Sequence, residues 1–185
     1  NPSRFSDSPD LPVQSVSWND VQRFLGAFAK SVPGCDAVLP TEAQWEYACR
    51  AGTETPFHSG ETITTDQANF YGDLPYRSDD AKGEFRRCTV PVKTFRPNRW
   101  GLYEMHGNVW EWCADGRRGY GAEPVEDPRG PEGPDTPRAV RGGSWLNGAL
   151  HLRSAQRLAI PPGNAHDFLG FRFCLRSIES GAERR

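Results

Sequence analysis

Residues 141–157 read RGGSWLNGALHLRSAQR. Both ends are built of exacting residues: Arg141-Gly142-Gly143-Ser144-Trp145 at one, Leu152-Arg153-Ser154-Ala155-Gln156-Arg157 at the other. Between them Leu146, Asn147, Gly148, Ala149, Leu150 and His151 follow neither the helical nor the strand period. A second patternless segment, residues 158–168, runs up to Leu169-Gly170-Phe171-Arg172. A frame around two unpatterned inserts points to a scaffold holding loops, and loops on a rigid scaffold commonly carry function.

Outward from that stretch, residues 138–145 read as a strand entered after Pro137. Phe171, Phe173 and Leu175 alternate with Arg172, Cys174 and Arg176, the pattern of a half-buried strand. Upstream, Ser17 with Asp20 forms a near capping box. Val21, Phe24, Leu25 and Phe28 then give one buried helical face, ended by the turn at Pro33-Gly34. Thr41 with Gln44 caps a second helix that runs to Gly52. Residues 53–97 carry few periodic runs. They are too long for an ordinary connection, so the segment is functional or held in place. Residues 116–136 are rich in Gly, Pro and acids and read as an exposed loop. Two short helices followed by β-rich, loop-heavy chain make an α+β domain.

The chain has 185 residues, 19 Gly, 16 Pro, 36% hydrophobic content and a net charge of −2. Length suffices for one cored domain, and six Trp and ten Phe supply large buried surfaces. No basic block suggests nucleic acid, and no apolar run reaches membrane length. The sequence begins at Asn1, so residues 1–185 read as one domain forming the C-terminal part of a longer protein. The compartment stays open. Five cysteines, Cys35, Cys49, Cys88, Cys113 and Cys174, show no metal-binding spacing and read as buried thiols. His106, among aromatic strings, reads as a structural hydrogen-bonder. His58 has no visible partner. His151 and His166 read as solvated loop residues rather than metal or catalytic groups.

Several strings resemble one family: Asn1-Pro2-Ser3-Arg4-Phe5, Val16-Ser17-Trp18, residues 39–48 (LPTEAQWEYA), residues 101–112 (GLYEMHGNVWEW), Arg141-Gly142-Gly143-Ser144-Trp145 and Gly170-Phe171-Arg172. They occur in order across almost the whole chain, and the resemblance is to the formylglycine-generating enzyme, or sulfatase-modifying factor, family. It implies a variant of the C-type lectin fold. The oxidase members place two cysteines just after the Gly-Gly-Ser string and use them to hold copper, a soft ion that thiolates suit. Residues 146–151 here hold none, so we expect no copper and no oxidase activity.

The chain also resembles diversity-generating retroelement variable proteins, which share this fold. Their variable region is framed by Arg-Gly-Gly-Ser-Trp, Leu-Arg-Ser-Ala-x-Arg and a closing Gly-Phe-Arg. That places the variable ligand-binding region at about 141–172 and implies a ligand-binding role for Leu146, Asn147, Gly148, Leu150, His151, Leu158, Ala159, Ile160, Gly163, Asn164, His166, Asp167 and Phe168. Ala149 and Ala165 belong either to this set or to the frame. Adenine-randomised Asn codons exclude Lys, Glu, Gln, Met and Trp, and none of these occurs in either segment. The expectation is a protein or cell-surface ligand bound by outward-pointing residues, with Trp145 and Phe171 packing and Arg153 and Arg157 bonding loop carbonyls. The alternatives are an inactive interaction module of the same family and a metal-dependent oxidoreductase relative.

The family resemblance further implies structural Ca²⁺, an ion that takes hard oxygen ligands. One site would use Glu104, Gly107, Val109 and Glu111, although Glu111 could equally make protein hydrogen bonds alone. A second would use Asn69 and Phe70 with Asp79, Asp80 or Glu84. Cys49 and Cys174 lie near a family disulfide, but Cys174 is offset by one residue. One residue on a strand reverses the face, so the resemblance does not assign that bridge and the pairing of the cysteines stays open.

Overall fold

In a computed structural model the described residues are 1–32 and 34–177. Helix α1 spans Trp18–Ser31 and α2 spans Glu42–Arg50. Strands β1 (Cys35–Val38), β2 (Trp110–Gly116), β3 (Arg138–Arg141), β4 (Arg157–Ile160), β5 (Leu169–Gly170) and β6 (Cys174–Ser177) follow the chain, with a 3₁₀ turn at Ala149–Leu152 between β3 and β4. They form a four-stranded sheet in the order β4-β3-β2-β5, antiparallel except for the β2–β5 pair, and a separate antiparallel ribbon of β1 and β6.

Both helices start where local chemistry demands. Ser17 and Asp20 satisfy each other's backbone N–H groups at α1, and Thr41 and Gln44 do so at α2. The helix α2 closes on Ala51 in the left-handed region, one residue before Gly52. Pro33, expected to help end α1, lies outside the described residues. On α1, Val21 and Leu25 are buried, whereas Phe24 is exposed and Phe28 half-buried. These two rings meet Phe171 and Phe173 at centroid distances of 5.3–6.2 Å, forming an aromatic cluster at the rim of the core, against which Phe28 and Phe171 pack.

The core centres on indoles. Trp110, Trp112 and Trp45 are almost fully buried, and each ring N–H has an acceptor: Asn147 Oδ1 at 2.8 Å, the Val16 carbonyl at 3.0 Å and Glu111 Oε2 at 2.6 Å. A buried indole donor left unpaired would cost about 1–3 kcal/mol, so these pairings fix how the helices seat on the sheet.

The 138–145 strand is shorter than expected. It stops at Arg141, because Gly142 and Gly143 take φ of 96° and 76° and turn the chain. The closing strand is also displaced. Phe171, Arg172 and Phe173 precede β6, and Leu175 is exposed rather than core-facing. Arg172 turns inward to the buried Glu111 carboxylate, the reverse of the alternation expected from sequence.

The segment 53–97 is held without regular elements. Phe57, Ile63, Ala68 and Phe70 pack with Ala149 and Leu152 into a second core cluster. Gly72 and Gly83 lie backbone to backbone, joined by the Gly83 N–H to the Gly72 carbonyl at 2.9 Å. Residues 117–137 are mostly exposed, as the composition indicates.

Candidate functional site

Beyond β3 the chain must double back tightly. A Cβ at Gly143 would sit 2.8 Å from Leu152 Cδ1 and 2.9 Å from the His151 carbonyl, so only glycine fits under the 3₁₀ turn, and its φ is positive as well. Trp145 is buried. Its amide donates to the Asn108 carbonyl at 3.0 Å, its ring meets Phe5 edge-on at 5.6 Å, and its Nε1 donates to the Asp167 carbonyl at 3.3 Å. Arg153 Nε donates to the Leu150 carbonyl at 3.0 Å, and Arg157 donates to the Arg118 carbonyl at 2.9 Å while also pairing with Glu42.

The frame is braced from behind by buried charge. Fully buried Arg141 pairs with Glu46 of α2, donates to the Gln156 carbonyl and lies near Glu42, which Arg157 grips through two nitrogens. Removing one member of such a network strands a charge, which typically costs about 3–5 kcal/mol.

The patternless residues divide into two groups. Leu146 (45% exposed), Leu150 (55%) and His151 stand in solvent. They share a groove of about 550 Å³ with Asp73, Leu74, Pro75, Ser78, Asp80 and Lys82. Leu158, Ala159, Gly163, Asn164 and His166 are exposed along the second segment. The other five do not simply point outward. Asn147 is an internal post: its Oδ1 accepts from Trp110 Nε1 at 2.8 Å and from Ser144 Oγ at 2.7 Å, and its carbonyl accepts from the Tyr71 amide at 2.9 Å. Gly148 is buried, and a Cβ there would meet Leu74 Cβ at 2.7 Å. Ile160 and Phe168 are half-buried against the main core, because the edge strand β4 and the approach to β5 turn them under the sheet. Half-buried Asp167 pairs with Arg4. Ala149 is fully buried and belongs to the frame, whereas Ala165 is exposed.

The groove's second wall, residues 73–82, was not expected from sequence to bind ligand, and Asp79 and Asp80 within it were expected only as candidate calcium ligands. Its only signal was the unexplained length of the segment carrying it.

Residues 146–151 contain no thiol. Cys49 and Cys113 are buried, and burial pushes Cys49 up to about 12 and Cys113 well above its ordinary value, so neither favours the thiolate. Cys174 is exposed on β6 and free, and Cys49 is free, so the two form no bridge. Buried His106 donates from Nδ1 to the Leu152 carbonyl (2.7 Å) and accepts the His58 amide at Nε2 (3.0 Å). It is therefore neutral, and burial, reinforced by neighbouring His58, lowers it to about 3. His58 does have a neighbour: its ring stacks on His106 at 4.9 Å. Among the described residues no three His, Cys, Asp or Glu side chains gather into a metal cluster, and His151 and His166 are both exposed on separate segments.

The two calcium arrangements differ in fit. The Glu111 carboxylate takes Trp45 Nε1 at 2.6 Å and Arg172 Nε and Nη2 at 2.5 and 2.7 Å. A guanidinium already neutralises it and would repel a second cation, so Glu111 does not fit. Glu104 is spent on the amides of Lys93 (2.9 Å) and Phe95 (3.3 Å), and Gly107 and Val109 add only backbone. Asn69 does fit. Its Nδ2 donates to the Cys88 carbonyl at 2.8 Å and to Asn108 Oδ1 at 3.1 Å, which leaves Oδ1 buried with no donor. A hard cation satisfies such an oxygen.

Comparison with known proteins follows the same division. Residues 1–178 match the sulfatase-modifying factor enzyme 1-like domain. A formylglycine-generating enzyme of Streptomyces coelicolor is 36% identical over 180 residues, covering 92% of this chain and 54% of that protein. A mouse protein named inactive C-alpha-formylglycine-generating enzyme 2 is 33% identical over 171 residues, covering 88% of this chain and 48% of its own length. The chain thus spans about half the length of these relatives. The solved structure of Treponema denticola variable protein 1 superposes with a TM-score of 0.77 at 27% identity, covering 96% of this chain and 77% of that one. The observed fold is therefore the C-type lectin-like fold of the formylglycine-generating type.

Proposed function

We propose, from the premise that this chain belongs to the sulfatase-modifying factor family, that it is a ligand-binding protein and not an oxidase. The family holds enzymes and a protein named inactive, so membership alone does not assign chemistry. The observation that carries the reading is the exposure of Leu146, Leu150 and His151 on a groove whose frame is stabilised elsewhere, by the indole bonds and the buried Arg–Glu network. Apolar side chains left in solvent beside a groove mark an interaction site. Their removal leaves the frame's own contacts intact.

The finer reading is a retroelement-type variable protein that displays diversified residues to a protein or cell-surface ligand. The exposed set Leu146, Leu150, His151, Leu158, Ala159, Gly163, Asn164 and His166 is the surface available for this. Nucleic acid is not a proposed partner, given the net charge of −2. Insertion by this chain is not proposed either, since no described helix is long and apolar enough to cross a membrane. Sequencing sibling copies of the 3′ end of the gene tests the reading. Substitutions should concentrate at the exposed set and spare Asn147 and Gly148. Invariant siblings, or substitutions spread evenly through the frame, would sink it in favour of an undiversified interaction module.

A further inference from the structure

A second cavity lies away from the groove. It has a volume of about 720 Å³ and is bounded by the start of α2, the β1–β6 ribbon and residues 129–133. That volume is in the range of small-molecule sites. Its apolar walls include Trp18, Trp45, Leu102 and Phe173.

Its charge is unbalanced. Four arginines line it, Arg129, Arg138, Arg172 and Arg176, against one carboxylate, Glu132. Three of the four have acidic partners: Arg129 with Glu132 at 3.4 Å, Arg172 with Glu111 at 2.5 Å and Arg176 with Asp36 at 2.6 Å. Arg138 has none among the described residues. It is only 5% exposed, donates to the Ala114 carbonyl at 3.1 Å and the Gly133 carbonyl at 2.7 Å, and lies 4.1 Å from the Trp18 ring centroid. Its Nε has no partner. Carbonyl dipoles and a π-face compensate a buried cation only in part, and an anion brought into the adjoining cavity would complete the compensation.

We propose that this cavity binds an organic monoanion with a flat apolar body. The body would lie among Trp18, Trp45 and Leu102, and its carboxylate or sulfonate would answer Arg138. Arg138 selects charge, and the indoles select shape. This site does not depend on the groove assigned above.

The aromatic sulfonate 8-anilinonaphthalene-1-sulfonate and its uncharged counterpart N-phenyl-1-naphthylamine test this by fluorescence titration of the cooperatively folded full chain. The sulfonate should bind saturably at one site, at least tenfold more tightly than the neutral dye. Arg138→Met should weaken the sulfonate at least tenfold and leave the neutral dye unchanged. Equal affinities for the two dyes, or undiminished sulfonate binding by Arg138→Met, would overturn the proposal. If Arg138→Met does not fold, Leu102→Trp decides by filling the cavity: loss of sulfonate binding supports the assignment and retention overturns it. The groove variant Leu146→Ser/Leu150→Ser should bind the sulfonate as the parent does. Loss there would relocate the dye to the groove and overturn the cavity assignment, leaving the groove's own function untouched.

Discussion

Replacing His106 should change how stability depends on pH more than any surface histidine can. In the folded chain the ring is buried and neutral, lowered to about 3, against 6.5 as its ordinary value. The sign follows from linkage. Above the unfolded value both states are neutral and pH has no effect through this group. As pH falls below that value the unfolded chain takes up a proton that the folded chain refuses, so stability is lost down to the folded value. The slope approaches about 1.4 kcal/mol per pH unit, and the accumulated loss at pH 5 is about 2 kcal/mol relative to pH 8. Urea unfolding at pH 8, 7, 6, 5 and 4.5 measures this in the parent and in His106→Phe. The variant loses the bonds to Leu152 and His58 and is less stable at pH 8, but it lacks the titration. The difference between the two stabilities should therefore shrink by about 2 kcal/mol between pH 8 and pH 5. His58, which burial also lowers, remains in both proteins, and His58→Asn in each background separates its share. A difference that stays constant across that range would refute the buried, neutral assignment of His106.

Asn147→Ala should cost about 2 kcal/mol, because it leaves the Trp110 ring N–H buried and unpaired; Gly148→Val should cost about 1–3 kcal/mol by forcing Leu74 aside. Leu150→Ser should stay within about 0.5 kcal/mol of the parent, and equal losses at positions 147 and 150 in thermal melts would contradict the division of the turn. Calcium should raise the melting temperature through Asn69, with a gain of about 2.7 kcal/mol at one hundred times Kd, and Asn69→Ala should abolish the rise. A melting temperature unchanged at millimolar Ca²⁺ would remove calcium from this chain.

What was legible in the sequence was legible because it is local. Ser17 with Asp20 and Thr41 with Gln44 announce their helices within four residues, and both capping boxes are present. The double glycine at 142–143 marks a tight turn, although its positive φ ends the strand there instead of letting it run to Trp145. The network of Glu42, Glu46, Arg141 and Arg157 was not legible, since its members lie about a hundred residues apart and nothing in the spacing couples them. The inward turn of Arg172 was hidden for the same reason: its partner Glu111 is 61 residues away, and the local alternation pointed it to solvent.

Absence of period, likewise, says that a segment is irregular but not which way its side chains face. In the 146–151 turn the main chain decides. The Tyr71 amide donates to the Asn147 carbonyl at 2.9 Å, and the Ala149 amide donates to the Leu74 carbonyl at 3.0 Å. These two bonds lash the turn to residues 71–74 and press Gly148 against that wall, while the side chains of Leu146, Leu150 and His151 are left in solvent along the groove between turn and wall. The groove floor is therefore made of backbone bonds that no side-chain change removes, and its rim of side chains that the floor does not need. Substitution at the rim alters what the groove can hold, whereas any side chain introduced at Gly148 must first displace the wall.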